Sequence, residues 1–153
     1  MIKYFAKTPA IIFLFASVLF ISACNQTLLL KVEKPNDTLT FVLPDKYKNQ
    51  TIAIQDFTVI KTDCEQNCTM WALVNVLDES GALSFAVLEE LTIEYGESFE
   101  ELRVSFSPQE LTSGEFSVGG TAVFIDDFGT VTGSKILFAD FTLEGISKTL
   151  KLE

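Results

Sequence analysis

Beyond residue 26 the chain alternates apolar and polar side chains with period two, and residues that favour turns break the alternation about every ten positions. Leu28, Leu30 and Val32 share one parity, Lys34-Pro35-Asn36-Asp37 supplies turn chemistry, and Leu39, Phe41 and Leu43 resume the alternation, which predicts a hairpin. A polar loop from Pro44 to Asn49 follows. Ile52 and Ile54, then Phe57 and Val59, predict a long strand whose phase slips at Gln55-Asp56, as a β-bulge allows. Residues 69–77 are apolar on both parities, the pattern of a central strand covered on both faces.

After the turn Asp78-Glu79-Ser80-Gly81, the segment from Ala82 to Leu91 fits a short helix as well as a strand, because Leu83, Val87 and Leu91 are spaced by four. Leu91, Ile93 and Tyr95 then alternate, as do Leu102, Val104 and Phe106. The helix-start signatures Ser98-Phe99-Glu100-Glu101 and Ser107-Pro108-Gln109-Glu110 leave room for about one helical turn each. Gly119-Gly120 interrupts a strand from Glu115 to Ile125 and points to a bulge or a close backbone approach. Turns at Asp126-Asp127-Phe128-Gly129 and Gly133-Ser134 precede strands from Ile136 to Leu143 and from Ile146 to Leu152. The fold class that follows is all-β: one antiparallel β-sandwich over residues 27–153, immunoglobulin-like or jelly-roll-like in layout. The ten phenylalanines from residue 41 onward join Tyr47, Trp71 and Tyr95 as filling between two sheets, with the Trp71 indole N–H in need of a partner if buried.

The first 23 residues are different. Lys3 and Lys7 are their only charges, and Ala10-Ile11-Ile12-Phe13-Leu14-Phe15-Ala16-Ser17-Val18-Leu19-Phe20-Ile21 is an apolar run shorter than the roughly 20 residues a membrane span needs. It ends in Ile21-Ser22-Ala23-Cys24. This tetrapeptide resembles the lipobox of bacterial lipoproteins, which implies a signal peptide over residues 1–23, cleavage before Cys24, acylation of Cys24, and residues 24–26 as a short lipidated tether. The same resemblance implies a cell-envelope location with the lipid bilayer as a partner through Cys24. In a Gram-negative source, Asn25 in place of an aspartate after the cysteine favours the outer membrane. Three acyl chains exceed the two signals that stable anchoring needs.

Charge narrows the partners. The chain carries −10, and without residues 1–23, which hold two lysines and no acids, the remainder carries nine basic and twenty-one acidic side chains, a net of −12. Residues 62–134 hold fourteen acids against Arg103 alone. Nucleic acid is an unsuitable partner for such a chain, because phosphate binding depends on clustered Lys and Arg. Histidine is absent, which removes imidazole-based triads, imidazole-ligated metals and imidazole pH switches.

Few constellations carry chemistry. Cys64 and Cys68 lie in a polar loop between strands, and in an oxidising compartment the two should form a disulfide that pins the loop. A copper or thiol-redox accessory using Cys64, Cys68 and Met70 is the sharper alternative, since two thiolates and a thioether suit a cuprous ion. The Cys-x3-Cys spacing is similar to that of copper-delivery thioredoxin-like proteins, but the sequence has neither their histidine nor a helix after the cysteines, and Asp63 and Glu65 oppose thiolate formation. Glu89-Glu90, Glu100-Glu101 and Asp126-Asp127 are adjacent carboxylates, which on a strand point to opposite faces and do not form a facing catalytic pair. Asp126 and Asp127 could contribute to a calcium site at a loop tip, though without the regular spacing of a calcium loop. No catalytic residue and no cofactor is expected. The function read from the sequence is a noncatalytic structural or protein-interaction module on an envelope protein partner, with capture of a cation or small molecule at acidic loop tips as the alternative.

Overall fold

The computed structural model describes residues 27–34, 37–66 and 68–144. Ten strands pack as two sheets: β1 (Thr27–Leu29), β2 (Lys31–Glu33), β3 (Thr40–Val42), β4 (Thr51–Lys61), β5 (Thr69–Asn75), β6 (Ala86–Val87), β7 (Thr92–Glu94), β8 (Leu102–Phe106), β9 (Gly114–Ile125) and β10 (Val131–Leu143). The larger sheet has the order β1-β10-β9-β4-β5-β8, with β6 also on β4; the smaller is β2-β3-β7. A 3-10 turn at Asp45–Tyr47 precedes β4, and no α-helix occurs among the described residues. The fold is an all-β sandwich, as the alternation predicts.

The core sits between the sheets and is closed by a chain of rings. Phe41 of the small sheet meets Phe57 of the large one at 5.2 Å between ring centroids, Phe57 meets Trp71 at 5.5 Å, and Trp71 meets Tyr95 at 5.5 Å. Leu28, Leu43, Ile52, Ile54, Val59, Leu73, Ile93 and Leu137 fill the space around them. Trp71 is wholly buried, and its indole N–H has no hydrogen-bond partner among the described residues.

Two irregularities that the sequence signals separately meet at one place. β4 slips register against β9 between Ile54 and Asp56, and there Phe57 pairs with Gly120. A Cβ on Gly120 would lie 2.5 Å from the Asp56 carbonyl oxygen and 3.2 Å from the Phe57 Cα, so the glycine admits the bulged backbone. β9 itself runs through Gly119-Gly120 without interruption.

Four local expectations are corrected. The predicted hairpin forms only in part: β2 pairs antiparallel with β3, but the first arm divides, and β1, with Leu28, leaves it to pair parallel with β10. The large sheet is therefore mixed. The segment from Ala82 to Leu91 forms no helix; its apolar residues are used by the short β6, by a bridge between Leu77 and Leu83, and by burial of Ala86 and Leu88. Gly133-Ser134 is not a turn but lies within β10, where a register shift between Val131 and Gly133 absorbs the irregularity. β5 stops at Asn75 and is covered on both faces only in its middle: Trp71, Ala72 and Leu73 are buried, whereas Val74 and Val76 are half-buried and Leu77 beyond the strand is exposed. The strand expected from Ile146 to Leu152 lies outside the described residues.

Strand directions give the sandwich two distinct ends. One carries the β9–β10 turn at residues 126–130 and the chain entering β4, and because β1 runs parallel to β10, the chain also enters β1 from this end. The other carries the β4–β5 loop at residues 62–68, the start of β9 and the end of β10.

Candidate functional site

Cys64 and Cys68 form a disulfide, with Cα atoms 5.8 Å apart, at the end of the sandwich away from the entry of β1. The loop it closes is tied to the β8–β9 connection by Lys61, whose ammonium donates to the Ser113 carbonyl at 3.0 Å and the Thr112 hydroxyl at 3.2 Å. With the sulfurs bonded to each other, they offer no thiolate. Met70, two residues on, packs against the core. The ring is small, so the chain-entropy gain is about 2 kcal/mol, an amount that steadies one loop rather than the fold. Cys64→Ser combined with Cys68→Ser should accordingly lower the urea midpoint by a stability loss of about 2 kcal/mol with an unchanged slope, measured by Trp71 fluorescence.

Asp126 and Asp127 stand in a turn that has a twin. In Asp126-Asp127-Phe128-Gly129-Thr130, Asp126 Oδ1 accepts from the backbone N–H of Phe128 at 3.0 Å and of Thr130 at 2.8 Å, and Gly129 has φ +79°. In Asp78-Glu79-Ser80-Gly81-Ala82, Asp78 Oδ1 accepts from the N–H of Ser80 at 2.8 Å and of Ala82 at 2.9 Å, and Gly81 has φ +81°. Each is a hairpin turn in which the aspartate satisfies the backbone and the glycine takes the left-handed position. The Ser80 hydroxyl, followed by the Ala82 N–H, holds the Asp78 carboxyl below the usual carboxylate range. Asp126 is thus committed to folding the tip. Among the described residues, no group of three or more acids and cysteines is placed to hold a metal ion.

The other paired acids separate. Glu100 and Glu101 lie exposed in the turn before β8. Glu89 and Glu90, in the loop between β6 and β7, join Glu94 and Glu97 around an open groove of about 380 Å³, lined also by Val87, Leu88, Thr92 and Phe99. Glu97 bends back so that its carboxylate accepts from the Glu94 N–H at 2.9 Å. Sequence spacing does not reveal this convergence, because β7 and the following turn bring Glu94 and Glu97 to Glu89 and Glu90 only through the packing of the small sheet. A second groove, also about 380 Å³, is mainly apolar and runs between Leu39, Tyr95, Leu111 and Leu143. Tyr95 is a structural post there: its hydroxyl lies 2.9 Å from both the Met70 and Gln109 carbonyls and accepts from the Gln109 N–H, while burial pushes its pKa up.

Cys24 and the residues before it lie outside the described residues. Thr27, the first residue of β1, stands three positions after Cys24. No helix among the described residues is long and apolar enough to cross a membrane. No protein-family model, no curated protein and no solved structure matches this chain.

Proposed function

We propose that the protein is a lipid-anchored lipoprotein of the cell envelope, held by acylated Cys24, whose β-sandwich is a noncatalytic module for docking a protein partner. The observation that carries this reading is the position of Ile21-Ser22-Ala23-Cys24, at the end of an apolar run too short to span and immediately before a folded domain that begins at Thr27. In a Gram-negative source Asn25 favours the outer membrane. Mass spectrometry of the N-terminal peptide tests the anchor, since the reading requires a mature chain that begins at an acylated Cys24.

The partner-facing surface in this reading is the groove of Glu89, Glu90, Glu94 and Glu97, where four acids of the described residues converge on a concave surface walled also by Val87, Leu88 and Phe99. It suits a basic peptide segment. Glu89→Gln, Glu90→Gln and Glu94→Gln together should leave folding intact and cut recovery of a cross-linked envelope partner roughly tenfold, and recovery by the unaltered protein should already fall with salt. Undiminished recovery would place the docking surface elsewhere.

A further inference from the structure

The most exposed large apolar side chain among the described residues is Phe128, 92% exposed at the tip of the β9–β10 turn. It does not stand alone. Val131 follows it at the start of β10, Ile136 (55% exposed) and Phe138 lie further along the outer face of the same strand, and Leu29 (65% exposed) sits opposite Phe138 on the neighbouring β1. Five exposed apolar residues thus form one strip along the edge of the large sheet, beginning at the turn.

The tether restricts what this strip can face. Three residues span at most about 11 Å when fully extended, so Cys24 lies within that distance of Thr27. Thr27 pairs with Ile136, and the seven residues from there to Leu143 extend about 23 Å toward the disulfide end. An anchor at Cys24 cannot reach past that end, so the sandwich cannot stand on its disulfide loop. Toward the other end, the five residues from Ile136 back to Val131 extend about 17 Å, and Phe128 projects beyond them. With the turn pointing down, the tether is shorter than the protein below Thr27, which drives the tip into the bilayer surface. With the domain lying on its β1 edge, Leu29, Ile136 and Phe138 meet that surface instead. Each of these orientations brings part of the strip to lipid, the tip in the first and the β1 edge in the second.

The charges near this end are mixed, with Lys46, Lys48 and Lys135 against the exposed Asp45 and Asp127, and it is the lysines that suit the headgroup layer. Lys46 and Lys135 sit over the Tyr47 ring, at 5.0 and 5.8 Å from its centroid, just before β4 and beside the start of β10. Long lysine side chains at such a boundary keep their charge at the headgroups while their stems cover apolar surface. Asp126, at the tip itself, has its Oδ1 occupied by two backbone N–H groups.

We propose that the strip of Phe128, Val131, Ile136, Phe138 and Leu29 is a second membrane contact, inserting into the lipid interface beside acylated Cys24 and setting the domain with its disulfide loop facing away from the bilayer. The proposal rests on the lipoprotein reading. Its physical basis is that apolar side chains presented to the headgroup boundary bury about 5–10 Å deep, and that the acyl anchor supplies the local concentration such a small contact needs.

The test uses the full-length protein, processed in cells and reconstituted into phosphatidylcholine vesicles with and without bromine on the acyl chains. Phe128→Trp provides a reporter at the tip, Glu65→Trp one in the exposed disulfide loop, and the unaltered protein the baseline from buried Trp71. The tip reporter should be blue-shifted and lose roughly half its intensity in brominated vesicles, while the loop reporter and the baseline stay unchanged. Vesicle flotation with an unquenched tip reporter overturns the membrane contact and leaves the anchor standing. Failure to float, with an unacylated N-terminus by mass spectrometry, overturns both.

Discussion

Supplied with an ordinary cleavable secretory signal and carrying Cys24→Ala, the protein will move from the membrane pellet to the soluble fraction. Each buried methylene of an acyl chain contributes about 0.8 kcal/mol to membrane binding, and one short chain alone gives only reversible attachment, so three chains make the anchored state effectively permanent. Without them the strip from Phe128 to Leu29 remains, five partly exposed side chains on a domain whose net charge of −12 opposes anionic headgroups. Binding through that strip alone should be weak enough for a high-salt wash to remove. The ordinary signal matters because an uncleaved Ala10–Ile21 run would itself hold the chain in the membrane. Fractionation followed by immunoblot reads the outcome, and persistence of the variant in the washed pellet would refute Cys24 as the anchor.

Phe57→Ala should be the most damaging single substitution in the sandwich. Phe57 is fully buried, touches Phe41 across the two sheets and Trp71 on its own, and occupies the position where β4 crosses Gly120 after its bulge. Truncation removes the ring that joins the sheets and leaves a cavity walled by two strands whose backbones are already in close approach, so little collapse can fill it. The cost should be about 3–5 kcal/mol, which for a domain of this size lowers the melting temperature by about 10–20 °C in calorimetry. A loss under 1 kcal/mol would mean that Phe41 and Trp71 close on each other and that the ring chain does not hold the sheets together. Phe128→Ala is the useful contrast, because the fully exposed ring contributes no packing and its removal should leave the melting temperature of the domain unchanged.

Much of the fold was legible in local chemistry. Period-two alternation places Leu28, Phe41, Ile52, Phe57 and Val59 on the buried face, and each is buried. The turns at Asp78–Gly81 and Asp126–Gly129 were readable because an aspartate acceptor and a left-handed glycine act within five residues. The disulfide was readable for a similar reason: with three residues between Cys64 and Cys68 and no other cysteine near, the partner is local.

The failures share one cause. Alternation states which side chains face inward but not which strand supplies the hydrogen bonds, since pairing partners are remote in sequence. Hence the hairpin of β2 and β3 was legible, but the departure of β1 from its first arm to pair parallel with β10 leaves no trace in either segment alone. The helical spacing of Leu83, Val87 and Leu91 misleads because Ala86 and Val87 pair with β4 as a two-residue strand, a tertiary contact that a short isolated helix cannot outweigh.

The candidate site divides along the same line. By itself the sequence determined the disulfide loop, the acidic excess, the residues of the two tips and the resemblance of Ile21-Ser22-Ala23-Cys24 to a lipobox, because each depends on neighbours within a few positions along the chain. Only the tertiary structure decided that Glu89, Glu90, Glu94 and Glu97 share a groove, and that Phe128, Ile136 and Leu29 form one strip at the end where the tether enters. Those groupings are set by strand order and direction, which arise when two sheets bury their apolar faces against each other, and that choice of partners is a property of the whole chain.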